Sequence, residues 1–127
     1  MYTAFLIGRI IFGAYWLMNA YNHFTKTPMM SDYAASKSVF MPKVAVIGTG
    51  VLLLIGGLSM ITGIWPTVGI IALIIFLLGV TPMMHDYWKV QDPMMRMGQQ
   101  VNFNKNIALL AALLMMLAIA QPWMYAL

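Results

Sequence analysis

The sequence contains no cysteine and very little charge: seven Lys or Arg, three Asp or Glu and two His among 127 residues. The lack of cysteine excludes thiol–disulfide exchange, thiolate-held iron–sulfur clusters and cysteine zinc sites. Charged residues make up 8% of the chain, against about 25% in an average soluble domain. A fold this small exposes too much surface for so few charges to keep it in water. With 62% hydrophobic residues the chain is also excluded from the disordered class, which needs low hydrophobicity. The net charge is +4, but no basic surface interleaved with aromatics accompanies it, so nucleic acid is not an expected partner. An integral membrane protein remains, with the lipid bilayer as its first partner.

A spanning helix needs about 20 apolar residues. The stretch from Met1 to Phe24 is interrupted mainly by Arg9, Asn19, Asn22 and His23. No Lys or Arg precedes its apolar run and no small-residue cleavage site follows, so it reads as a first span and not a signal peptide. From Val44 to Met84 no side chain carries a formal charge, which is too long for one helix. Thr62-Gly63-Ile64-Trp65-Pro66-Thr67 breaks it with turn chemistry. The expected fold is an all-α, integral membrane four-helix bundle forming a single domain over residues 1–127. Its spans fall at about 3–24, 43–62, 67–88 and 104–121, the last closed by Pro122-Trp123.

The few charges then become topology. Loop 25–42 carries Lys26 and Lys37 with Lys43 at its edge, and loop 89–103 carries Lys89 and Arg96 with Lys105 just beyond. The hairpin between the second and third spans has none. The positive-inside rule makes these two loops of a multi-pass protein cytoplasmic and both termini outward-facing, which is periplasmic in the expected setting of a bacterial inner membrane. His23, His85, Asp32, Asp86 and Asp92 lie at the same end. Segments 23–30 and 85–95 both read His, aromatic, Lys, Pro-Met-Met, which suggests two helical hairpins related by a parallel repeat.

Arg9, Trp16, Asn19 and His23 share one face of the first span. Arg9 is long enough to snorkel to the outer surface, or else is a buried polar group. Asn19 lacks that reach and with His23 should form a buried polar cluster. His23 and His85 lie at similar depth, but haem or copper ligation is the less favoured use of them, and the Met pairs 29–30 and 94–95 are more often adaptable filler than copper ligands. Segment 31–40 is expected to form a short interfacial helix capped by Ser31 or Asp32, with Tyr33, Val39 and Phe40 at the headgroups. Tyr33 and Lys37 have the spacing of a dehydrogenase Tyr–Lys pair, but the chain has no Rossmann pattern to support that chemistry. Asn102 is expected to cap the fourth span and to share a face with Asn106. Gly50 and Gly57 on the second span, and Ala108, Ala111, Ala112 and Ala118 on the fourth, should allow close helix packing.

These features resemble the DoxX family of small four-helix membrane proteins. Gly8-Arg9, His23-Phe24, Tyr33 to Lys37 with Val39 and Pro42, Gly56-Gly57, His85-Asp86-Tyr87-Trp88, Asn102-Phe103 and Lys105-Asn106 carry the resemblance. Ser38 stands where the family usually has glycine, and Asn104 where it usually has an apolar residue. The resemblance implies a subunit associated with membrane redox complexes, without fixing an activity.

The resulting expectation is a redox-associated accessory subunit that binds a quinone or a lipid headgroup at its polar cytoplasmic end. The candidate binding residues are Asn19, His23, Tyr33, Lys37, His85, Asp86, Trp88, Asn102 and Asn106, with no metal site and no self-contained catalytic motif. A scaffold within a larger membrane protein complex and an oligomeric transporter or channel are the alternatives. A homo-oligomer is the alternative partner arrangement.

Overall fold

Proline sets where the helices begin. Pro28, Pro42, Pro66 and Pro93, four of the six prolines, each sit in a first helical turn. There the missing N–H is one that a helix could not have paired anyway. The computed structural model describes residues 2–127. Within them all the regular secondary structure is helical: α1 (Tyr2–Thr25), α2 (Thr27–Ser36), α3 (Pro42–Thr62), α4 (Pro66–Met84) and α5 (Pro93–Met116), with one 3₁₀ turn at Tyr87–Lys89. Three segments are long and apolar enough to cross a bilayer: Tyr2–Thr25, Pro42–Thr62 and Pro66–Lys89.

Three boundaries differ from the sequence expectation. α2 starts at Thr27, so Ser31 and Asp32 lie inside it and not at its cap. Pro28 fixes the start, while the Thr27 hydroxyl donates back to the His23 carbonyl at 2.7 Å. α5 starts at Pro93, where the Asp92 carboxylate accepts from the Met95 amide. Asn102 is therefore interior to the helix. α5 also ends at Met116, short of residue 121. The chain beyond it turns back and buries Trp123 against Phe5, with ring centroids 5.5 Å apart. α2 ends in paired turn bonds, Val39 N–H to Ala34 O and Ser38 N–H to Ala35 O. This motif requires a left-handed residue, and Ser38 supplies it at φ 62°. Serine, although not glycine, thus makes the helix-ending turn here.

In lipid, helices gain little from hydrophobicity and associate by close packing. α1 lies along α3, α3 along α4, and α4 along α5, while α2 packs across α3. The α1–α3 contact is backbone on backbone. A side chain at Gly57 would meet Leu17 and the Gly13 carbonyl, and one at Gly13 would meet Ile61 and the Gly57 carbonyl. α3 meets α4 through Gly56 against Leu73 and Gly69 against Ser59. The core between the helices holds Trp16, Leu53, Met60, Leu73, Leu77 and Leu113. The alanine face expected on the last helix does not pack in this way: Ala108, Ala111 and Ala118 are exposed.

Arg9 is buried, at 2% exposure, and does not snorkel. Its guanidinium donates to the Met60 and Ile61 carbonyls at 3.0 Å each and to the Met124 carbonyl. Phe5 and Trp123 present their rings to it at 5.4 and 5.5 Å. Met60 and Ile61 belong to the last turn of α3, whose carbonyls have no helical partner and carry the negative end of the helix dipole. Arg9 thus caps α3 from α1 and fastens the C-terminal segment to both. The Leu127 amide completes the clasp by donating to Thr62 O at 2.8 Å.

Candidate functional site: a cavity at the histidine end

The end of the molecule opposite Arg9 is less tightly filled. There a cavity of about 680 Å³ lies between α1, α2, α3, α4 and the start of the apolar half of α5. Its volume lies within the roughly 300–1,000 Å³ typical of small-molecule sites. The helix packing explains it. α1 contacts α3 and α5 contacts α4, whereas α1 and α5 approach mainly through side chains such as Lys105, whose ammonium sits 5.9 Å from the Tyr15 ring centroid. α4 turns a stripe toward the space: Ile75, Phe76, Gly79, Val80 and Met83. α2 covers it with Met29, Met30, Tyr33 and Ala34.

Five of the nine expected site residues line this cavity: Asn19, His23, Tyr33, His85 and Asn106. Helical spacing on α1 brings Asn19 and His23 to the same wall as Trp16, which is held edge-to-face by Phe12, Tyr15 and Phe76. His23 is buried at 7% exposure, and its Nδ1 lies 2.9 Å from the Val46 carbonyl and 3.2 Å from the Thr49 hydroxyl. A carbonyl only accepts, so Nδ1 carries the proton and a neutral ring leaves Nε2 as an acceptor. Asn19 donates one of its two amide N–H groups to Tyr15 O at 2.8 Å. Asn106 is buried at 6% exposure.

A second set of bonds closes α2 over the cavity. Tyr33 Oη donates to Met84 O at 3.1 Å, Gln99 Nε2 donates to Tyr33 Oη at 2.9 Å, and His85 Nδ1 lies 2.8 Å from Gln99 Oε1. Lys37 pairs with Asp86 at 2.7 Å. That hydrogen bond holds the Lys37 ammonium above its ordinary pKa. A raised lysine pKa adds stability that is complete at neutral pH and is lost only when strongly alkaline solution deprotonates the ammonium. Lys37 and Asp86 are therefore a strap on the cover and do not line the cavity.

The remaining expected residues lie elsewhere. Trp88 packs edge-to-face with Tyr87 and Phe103 at centroid distances of 5.4 and 5.8 Å. Asn102 borders a smaller surface pocket with Tyr33, Lys37 and Gln99. Met29 and Met30 line the cavity together with Met83 and Met84, while Met94 and Met95 are exposed. No group of three or more His, Asp or Glu side chains is placed to hold a metal ion among the described residues. Two contributors were missing from the sequence reading. Thr49 follows Val46 by one helical turn. Gln99 precedes Asn102 and Asn106 on the same face of α5, a spacing that the sequence displays.

Neither the curated proteins nor the solved structures gave a match. A family profile described as DoxX matches residues 4–86, from the start of α1 through the strap residue Asp86 and ahead of α5. That match covers more than half of the chain, and this all-helical membrane protein belongs to the DoxX family.

Proposed function

We propose that this protein is an accessory subunit of a membrane redox assembly and that its cavity holds the ring of a quinone. The observation that carries the reading is the cavity itself. It joins an apolar wall from α4 to a few convergent polar groups on α1 and α5, the mix that suits an amphipathic ligand. The chain has no cysteine, so electrons reach the ligand from a partner protein in the same membrane. In this reading the apolar half of α5 completes a fourth span, the two histidine-bearing segments are related as a parallel repeat, and the membrane is a bacterial inner membrane with the histidine end cytoplasmic. A lipid with a small polar headgroup, a purely structural scaffold and an oligomeric transporter are the competing uses of the same fold.

The experiment is purification of the native protein from its own membranes in mild detergent, followed by solvent extraction and identification of co-purified proteins. The expected result is quinone near one equivalent per protein, together with an oxidoreductase. A preparation containing phospholipid but no quinone, and no oxidoreductase, contradicts the proposal.

A further inference from the structure

Hydrogen-bond polarity divides the cavity wall in a way that bears on which form of such a ligand it takes. Val46 O fixes the proton of His23 on Nδ1, and Nε2 has no protein partner among the described residues. The same logic applies to His85. Tyr33 uses its own proton on Met84 O, so Gln99 must donate its amide N–H to Tyr33 Oη, and its Oε1 is left to face His85. Oε1 only accepts, so His85 also carries its proton on Nδ1 and its Nε2 is bare when the ring is neutral. One of the two Asn19 amide N–H groups is given to Tyr15 O, which leaves the other N–H and the oxygen. Asn19 and Asn106 can each donate or accept, so the wall groups that discriminate are the two bare histidine nitrogens, which only accept when the rings are neutral. The cation on the wall, Lys105, sits over the Tyr15 ring.

We propose that this cavity binds the reduced, dihydroxy form of a quinone in preference to the oxidised, dicarbonyl form. The inference rests on the quinone reading above. A hydroquinone donates O–H to a bare histidine nitrogen. A quinone sets a carbonyl lone pair against it and leaves both groups unpaired in a buried site, a state that costs as much as a lost hydrogen bond or more. His23, fixed on α3 through Val46, is the specificity-determining residue, and His85 is the second acceptor at the cover.

The test uses the full chain in lipid nanodiscs under anaerobic conditions, with decylubiquinol and decylubiquinone as probes and calorimetric titration as the readout. The quinol is expected to bind about tenfold more tightly than the quinone. The dimethyl ether of the quinol, which keeps the ring and tail but cannot donate, is expected to lose that advantage on the unaltered protein. His23→Phe is expected to bring the two affinities together by weakening the quinol alone. Equal affinity for quinol and quinone, or undiminished binding of the dimethyl ether, overturns the inference while leaving the quinone reading intact. Absence of binding by either form overturns both.

Discussion

Replacing Arg9 by leucine is expected to lower the unfolding free energy by about 3–4 kcal/mol, from three charge-assisted bonds worth roughly 1.5–3 kcal/mol each and not fully additive. The size follows from what the guanidinium touches. Met60 O and Ile61 O end α3 and have no other partner there, and Met124 O belongs to the returning C-terminal segment. Leucine would leave these carbonyls buried and unpaired, and Trp123 would lose the cation beside its ring. Arg9→Lys keeps the charge but not the planar fork, so it should recover less than half of the loss. Denaturant unfolding in mild detergent measures both. An arginine that only reached for headgroups would tolerate lysine fully, and near-native stability of Arg9→Lys would contradict the clamp.

Gly57→Leu is expected to cost about 3 kcal/mol or to prevent folding, at the upper end of overpacking effects because a backbone must move. A Cβ at residue 57 would lie 2.8 Å from the Leu17 side chain and 3.1 Å from Gly13 O. The facing position is equally closed: a Cβ at Gly13 would lie 2.8 Å from Gly57 O. The pair therefore sets how near α1 and α3 approach, and through α1 it sets where Trp16 and His23 stand. Gly48, on the exposed side of α3 with nothing within 4 Å of an added Cβ, is the control. Gly48→Ala should be neutral or slightly stabilising, since alanine favours a helix over glycine. Equal melting temperatures for Gly57→Leu and Gly48→Ala would show that α1 and α3 do not rely on this contact.

The two glycines illustrate what could be read before the fold was seen. Gly57 was legible as a small residue in an apolar span, but its partner Gly13 was not, because no local pattern says which small residues will face each other. The apolar runs and the Gly63–Pro66 break gave α1, α3 and α4 closely. α5 was misplaced because hydropathy marks only its second half, although Asp92-Pro93 is a good capping signal for the first. The place of Arg9 was hidden for a related reason. One of its three carbonyl partners lies 115 residues away, in a C-terminal return that periodicity does not reveal. The histidine end was legible from charge position and from the paired His segments. The closed cover was not, since it depends on Gln99 meeting Tyr33 and His85 across three elements.

The central claim is that the cavity at the histidine end is a quinone site. Gly79 lies in the middle of the α4 stripe that lines it, and an added Cβ there meets nothing within 4 Å. Gly79→Phe should therefore fill the cavity without disturbing the packing. The direct measurement is titration of the nanodisc-held protein and this variant with decylubiquinol, alongside their melting temperatures. Saturable binding by the unaltered protein, weakened by about tenfold or more in Gly79→Phe, is the predicted result, given the roughly 1.4 kcal/mol that such a factor represents. Its melting temperature should be unchanged. Equal binding by both proteins, or no binding by either, would contradict the assignment of the cavity.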